Sequence, residues 1–369
     1  MPMPLVRRRR RYWRYRLINH VLRSVPRKQK TKTMTTLRLS ATLLVQLIAF
    51  TGTVFAWSGD STRALASQSK IVIDTARLPS SAWHYGFDKW TKGTYLRIDR
   101  SQLSEPSFYL FDKQGRQIAT FSFAIPNADR IEVHDFDVAP DHSVVLCGDS
   151  FSRDGKPAYF VARVSPTVQQ TKIVRTTPYW PFLVSVAPDN SIWTIGPQEL
   201  FDTDGHSSRT DSQANVLRHF NPDGNLIASF QPKWKFRLLQ TVSGFLVAKR
   251  DRIGWYAPSN GPGEYMEVNP TTGEMKVYRN RDIADGPGSH HKISGFALTD
   301  SGDVFIARDS REAKTRTLLR LNRTENKWEP VKMPGTNEGP SPMLKGSDGD
   351  LLIFSGPGAL SFMTFTVVR

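Results

Sequence analysis

The sequence predicts an all-β chain closed into a six-bladed β-propeller of four-stranded antiparallel blades, and three observations predict it. A unit of roughly fifty residues recurs from about Tyr85 to the C-terminus. Each unit carries two turn markers that keep step with one another. A spare β-prone segment at residues 70–74 precedes the first unit, while the last unit lacks a fourth strand. A fixed period of this size marks a stacked or radial array.

The first marker reads Val138-Ala139-Pro140-Asp141-His142-Ser143-Val144 and again Val186-Ala187-Pro188-Asp189-Asn190-Ser191-Ile192. Weaker copies lie at 242–247, 299–306 and 346–353. The second marker appears at 111–115, 164–166, 220–224, 268–273 and 321–326. Pro presets φ at the start of such turns, and Gly or Asn tolerates positive φ near their end. β-branched and aromatic runs flank both markers, which is the pattern of a hairpin.

Second turns begin at 112, 165, 221, 269 and 322, in steps of 53, 56, 48 and 53. First turns sit near 92, 141, 189, 243, 300 and 347. Each unit therefore reads strand, turn, strand, loop, strand, turn, strand. The sixth unit stops after its third strand, and the spare segment at about 70–74 is expected to supply the missing outer one. Such a closure protects the seam of the ring from stray edge pairing. A β-sandwich would not need constant spacing. A helical solenoid would show a sustained 3.6-residue period, and none occurs.

The net charge of +16 is unevenly placed. Residues 1–40 hold thirteen Lys or Arg and no acid, so only +3 remains for the rest of the chain. Residues 1–33 read as a basic arm, disordered or the product of a mis-assigned start, with Met34 the favoured start. Residues 34–66 read as a signal peptide or signal anchor: an uncharged apolar stretch between Arg38 and Asp60, followed by small-residue cleavage sites. Residues 67–369 are the propeller. It is expected to be exported, to the periplasm or the extracellular space. The alternative is an inner-membrane anchor through an uncleaved segment, with the propeller outside the cytoplasm. The arginine run does not argue for nucleic acid, because an export segment follows it directly. Cys147 is the single cysteine. It sits in an apolar strand and is expected to pack as a small hydrophobe.

Turns within the hairpins are tight, whereas the connections at 148–158, 197–215, 251–264, 279–292 and 333–342 are long. In a four-stranded meander the long connections share one face, and binding favours variable loops on a rigid scaffold. Ligand-binding candidates on that face are Trp83, His84, Glu132, His134, Asp135, Tyr179, Trp180, Trp234, Arg250, Trp255, His290 and His291. Tyr85, Lys235, Arg252 and Tyr256 accompany them. His134 and Asp135 suit a base with its orienting carboxylate, or two metal ligands. The aromatics suit a stacking platform for a sugar or aryl group, and equally the packing between blades. Neighbours in an extended segment point opposite ways, so at most one of His290 and His291 faces the axis.

The chain contains no Gly-x-Ser-x-Gly, no His-Glu-x-x-His and no phosphate-cradling glycine loop. Asp348-Gly349-Asp350 resembles a fragment of a calcium loop, without the glutamate that completes one.

The repeated Val-Ala-Pro-Asp-x-Ser turns at 138–146 and 186–194, with Phe220-Asn221-Pro222-Asp223-Gly224-Asn225-Leu226 following, resemble the NHL-repeat and gluconolactonase-like six-bladed propellers. The resemblance covers about residues 80–369 and implies the fold. It also implies that an enzyme of this type would hold a divalent metal, Ca²⁺ or Mg²⁺, in the channel through a Glu, an Asn and an Asp. Glu132 and Asp135 are the nearest candidates, and the triad does not map residue by residue. The leading expectation is therefore a non-catalytic exported binding module, for a protein partner or a saccharide-like ligand on the long-loop face, with no cofactor. The alternative is a metal-dependent lactonase or lyase with its site at the channel mouth.

Overall fold

In the computed structural model the chain divides into two units, Met1–Trp57 and Ser58–Arg369. The structure describes residues 65–76, 78–84, 86–166, 170–201, 207–232, 244–257, 264–279, 291–310, 315–332, 342–356 and 360–367. The basic arm and the export segment up to residue 64 lie outside the described residues, as do Tyr85, Trp234, Lys235 and His290.

Strand β1 (Leu65–Val72) and a short helix α1 (Ser80–His84) precede blade one, which is β2 (Gly86–Thr91), β3 (Thr94–Asp99), β4 (Ser107–Phe111) and β5 (Gln117–Ser122). Blade two is β6 (Arg130–Val138), β7 (Val144–Phe151), β8 (Pro157–Ser165) and β9 (Gln170–Arg175). Blade three starts with β10 (Leu183–Val186) and β11 (Ile192–Ile195). It then breaks for a two-stranded insert, β12 (Glu199–Phe201) and β13 (Ser207–Thr210), and resumes with β14 (Asn215–Phe220) and β15 (Leu226–Pro232). Blade four is β16 (Phe245–Ala248), β17 (Ile253–Ala257), β18 (Glu264–Val268) and β19 (Met275–Arg279). Blade five is β20 (His291–Leu298), β21 (Val304–Ser310), β22 (Thr315–Asn322) and β23 (Lys327–Val331). Blade six is β24 (Leu344–Asp348), β25 (Leu351–Ser355) and β26 (Ser361–Val367).

The ring closes as the sequence requires. Strand β1 lies outermost in blade six, in the order β1-β26-β25-β24. Lys70, Ile71 and Val72 face Met363, Phe362 and Ser361, and Ile73 N donates to Leu360 O at 3.1 Å. The closing strand is longer than expected at its start, because Leu65, Ala66 and Ser67 also find partners on β26.

The recurring Pro-Asp-x-Ser turn has a local cause. In blade two the Asp141 carboxylate accepts from Ser143 N at 3.0 Å and Ser143 Oγ at 2.6 Å. His142 takes the left-handed conformation between them, at φ 63°. In blade three Asp189, Asn190 and Ser191 repeat these bonds at 3.0 and 2.6 Å, with Asn190 at φ 67°. The side chain thus sets the turn that joins the first two strands of the blade.

The core is not one body but six wedges. Among the described residues each buried apolar cluster spans two neighbouring blades. Phe108, Phe123, Phe136 and Phe160 join blades one and two, and Cys147, Val161, Val184 and Val186 join two and three. Trp193 and Trp255 join three and four; Tyr265, Phe296 and Trp328 join four and five. Phe305 and Phe354 join five and six, and Trp90, Tyr95, Ile71 and Phe362 seal six to one. Burying each such side chain contributes about 1.5–3 kcal/mol. A blade has little apolar contact except through its neighbours, so the ring stands as a whole. Cys147 is fully buried in the second of these wedges.

Three local expectations are corrected. The first turn of blade four lies at 249–252, where Lys249 N donates to Arg252 O at 2.9 Å, and not near 243; residues 245–248 are the inner strand itself. The apolar run Phe245-Leu246-Val247-Ala248 pairs more strongly than the preceding Ser-Gly could turn. Consequently the stretch 251–264 contains β17 rather than one long loop. The connection at 197–215 is not structureless either, because β12 and β13 pair within it.

Candidate functional site

The innermost strands of all six blades line a central cavity of about 510 Å³. Its wall mixes apolar and polar side chains, and the polar groups bind one blade to the next. Between blades one and two, Lys89 Nζ donates to Asp135 Oδ1 at 3.0 Å and Lys92 Nζ to Asp137 Oδ2 at 2.6 Å. Between two and three, Asp135 Oδ2 accepts from Val184 N at 3.0 Å, while Asp137 Oδ2 accepts from Val186 N at 2.7 Å and Ser185 Oγ at 2.8 Å. Ser185 Oγ in turn accepts from Ala248 N of blade four at 3.0 Å. Lys249–Asp300 at 2.5 Å links four to five, Ser347 Oγ to Leu298 O at 2.8 Å links six to five, and Lys345–Asp88 at 3.0 Å links six to one.

Asp137 is the best-held member. Burial alone would raise its pKa, yet Lys92, Lys89 and the Thr91 hydroxyl hold the carboxyl down at about 2. Burial pulls the Lys92 ammonium down against the attraction of Asp137. The strength of the pair therefore rests with the carboxylate, which has five donors from three blades. Asp348 is different. Its carboxylate, at the hairpin-turn end of the channel, takes no hydrogen bond from a described residue, and burial with the nearby Asp300 raises its pKa.

A second constellation lies off the axis, on the long-loop face at the start of blade two. A β-bulge between Val133 and Asp135 sets His134 out of the ladder. The backbone opposite approaches so closely that a Cβ on Gly148 would meet Glu132 O at 2.0 Å. Only glycine fits there. The bulge aims His134 towards Asp149, two residues beyond Cys147 on β7, with His134 Nε2 3.4 Å from Asp149 Oδ2. The other ring nitrogen, Nδ1, lies 3.2 Å from Pro181 O of the segment leading into blade three. Glu132 completes the group; its ligand-capable atom and those of His134 and Asp149 all lie within 4.8 Å of one another. Burial pulls the His134 pKa down, but Asp149, the Pro181 carbonyl and Glu132 together raise it. An aromatic wall backs the site: Trp180 stands edge-on to His134, centroids 5.9 Å apart, and stacks on Tyr159 at 5.5 Å. The Tyr159 hydroxyl donates to Glu199 of the insert.

The expected residues distribute unevenly over these places. Glu132, His134 and Trp180 converge on the off-axis group. Asp135 does not join them; it points to the channel, where Lys89 and Val184 hold it. Trp83 and His84 are exposed on α1, with the Arg97 guanidinium 5.7 Å from the Trp83 ring. Tyr179 is a core residue and not a surface platform: it is fully buried, its hydroxyl bonded to Thr194 Oγ1 at 2.9 Å and Val216 O at 3.0 Å. Trp255 is likewise buried in the wedge between blades three and four, and Tyr256 is buried beside blade five. Arg250 and Arg252 sit on the tight-turn face, opposite the one expected, because the blade-four turn falls at 249–252. His291 opens β20, paired with Ser310. Sequence reasoning missed Asp149. Gly148-Asp149 looks like the start of a loop, whereas β7 continues to Phe151. The available signal was alternation, which puts Asp149 on the same face as Cys147, and across the ladder from Glu132.

No known protein family matches the chain, and no curated protein matches it. Among solved structures, a candidate exported protein of Bacteroides fragilis is 10% identical, with 84% of this chain and 97% of that one covered at a TM-score of 0.49. A luciferin-regenerating enzyme is 10% identical, covering 81% and 96% at 0.43. A Synechocystis apocarotenoid oxygenase is 12% identical, covering 62% of this chain and only 55% of its own at 0.37. All three scores are below 0.5, so the propeller rests on the chain's own strand order and register.

Proposed function

We propose that the chain is an exported binding module that holds a small saccharide-like ligand in the central channel and does not turn it over. The carrying observation is the axial cavity of about 510 Å³, to which every blade contributes. Binding sites for small molecules commonly measure about 300–1,000 Å³. Phe87, Phe245 and Met343 line its long-loop end, and Asp348, Lys249 and Asp300 its hairpin-turn end. Such a gradient suits a ring with one apolar face and a hydroxylated rim: the face packs on the phenylalanines, and the rim reaches the carboxylate of Asp348. Most other charged groups of the wall already join blades to one another, which supports binding over turnover. Export is supported by the apolar segment within residues 34–66.

The test is a thermal-shift and calorimetric screen of the mature protein against mono- and oligosaccharides. A ligand of the channel should raise the melting temperature of the wild type. It should lose its effect in Val247→Trp, which fills the lumen, and bind more weakly to Asp348→Asn. A ligand that binds Val247→Trp as well as wild type, with circular dichroism unchanged, does not occupy the channel and would point to a partner on the outer loops.

A further inference from the structure

We propose that Glu132, His134 and Asp149 form a site for one divalent transition-metal ion, Zn²⁺ first, on the long-loop face of blade two and away from the propeller axis. The site is independent of any ligand in the channel.

The first support is geometric. One imidazole nitrogen and two carboxylate oxygens lie within 4.8 Å of one another, all three residues being held by two neighbouring strands of one sheet. The second is an unanswered polar atom. Asp149 is 5% exposed, and its Oδ1 has no hydrogen-bond partner among the described residues. A buried carboxylate oxygen without a donor is costly, and calls for a cation or a proton to face it. The third is the tautomer. Pro181 O can only accept, so Nδ1 of His134 carries the proton that bridges their 3.2 Å separation. With Nδ1 committed to Pro181, Nε2 is the nitrogen left to ligate, and it faces Asp149 Oδ2 at 3.4 Å. Two ligand atoms at that separation can share one ion. The backbone carbonyl bound to Nδ1 is the usual outer partner of a metal-ligating histidine.

The donor set selects the ion. Imidazole with carboxylates suits Zn²⁺ and its neighbours, while Ca²⁺ and Mg²⁺ prefer all-oxygen shells. Bonds of about 2.0–2.2 Å require the group to contract. That movement falls to Glu132, whose side chain is 49% exposed and, among the described residues, is held only by Arg130 at 3.3 Å. His134 and Asp149 are packed in place. Three protein ligands leave a fourth position open to solvent, the arrangement of an accessible site and not of a sealed structural one.

The experiment is titration of the full chain, stripped with chelator, with ZnCl₂ by calorimetry, with metal content read by mass spectrometry. One equivalent of Zn²⁺ should bind, with Ca²⁺ and Mg²⁺ at least about tenfold weaker. Asp149→Asn and His134→Gln should each abolish that equivalent. Asp309→Asn, at the corresponding position of blade five, should leave it intact. Failure of the wild type to take up Zn²⁺, or uptake that survives in both blade-two variants, overturns the proposal; the latter would mark an adventitious ion only. Should the variants fail to fold, Co²⁺ titration of the wild type decides: a visible absorption band of a four-coordinate nitrogen–oxygen site supports it, and the spectrum of the hydrated ion defeats it.

Discussion

Blades two and five use the same device at the same place, and treat its carboxylate differently. In both, the inner strand bulges near the long-loop face, at His134 in one and Ser294 in the other, and the bulged side chain approaches an aspartate of the second strand, Asp149 or Asp309. In blade five Asp309 is fully answered: Arg316 donates from Nε at 2.5 Å and Nη2 at 3.0 Å, and Ser294 Oγ donates at 2.9 Å. In blade two the position facing the aspartate across the ladder belongs to Tyr159 instead of an arginine, and its hydroxyl turns away to Glu199. Among the described residues Asp149 keeps only the imidazole. Yet it is the more buried of the two, its side chain 7% exposed against 30% for Asp309. A repeated scaffold thus offers one geometry to several blades and completes the polar network in one while leaving it open in another. Local rules broken without a local compensation mark places shaped by something other than stability.

The largest expected effect sets the scale on the blade-two strand itself. Asp137 sits three residues beyond His134 and has every oxygen engaged, so Asp137→Ala strands Lys92 and the amide of Val186. Removing one partner of a buried ion pair costs about 3–5 kcal/mol, to be read by urea denaturation. The pH dependence has a fixed sign. The folded carboxyl titrates at about 2, below its unfolded value of about 3.9. Its contribution is therefore present above about pH 4 and is lost as the pH falls towards 2. Asp137→Asn should flatten the acid limb of the wild-type stability profile. An unchanged limb would show that the channel network does not carry the ring.

Blade five supplies the next effect. Asp309→Ala should cost about 1–3 kcal/mol, because the Arg316 guanidinium and the Ser294 hydroxyl lose their acceptor. Ser294→Ala should cost less than that, since Arg316 still meets the carboxylate. If Asp309→Ala proved neutral, the bulge would not depend on its carboxylate in either blade, and the contrast would lose its meaning.

How legible these features are in the sequence follows from their range. The period, the Pro-Asp-x-Ser turns and the closing strand are written in local patterns: Asp141 and Asp189 bond only two residues away, and Ile71 announces itself by a β-prone run outside the repeat. The blade-four turn misleads because Val242-Ser243-Gly244 imitates a marker that the chain uses five residues later. The off-axis group is half visible. Glu132 and His134 stand together in sequence, but Asp149 is recruited through a bulge and a cross-strand pairing, which a linear reading does not show. Asp135, the more conspicuous neighbour, points the other way because strand alternation resumes after the bulge. Tyr179 and Trp255 look like platform residues since nothing in the sequence separates an aromatic at a loop mouth from one wedged between blades.

The smallest expected effect on stability is the one that discriminates most. With no ion bound, Asp149→Asn removes a buried negative charge that has one weak partner and an orphaned oxygen. It should change the unfolding free energy by less than about 1 kcal/mol, and a gain is as consistent with the geometry as a small loss, because an amide is less costly to bury than an unpaired carboxylate. The same substitution at Asp309 replaces the second acceptor oxygen with a donor facing Arg316, leaves at most one arginine bond, and should destabilise in the ion-free protein. Denaturation in excess chelator measures both. With Zn²⁺ added, the order of the wild type and Asp149→Asn should separate, since a ligand that binds only the folded state stabilises in proportion to the logarithm of its concentration over Kd. If Asp149→Asn costs as much as Asp309→Asn in chelator, the imidazole alone already answers Asp149, and blade two is as complete as blade five.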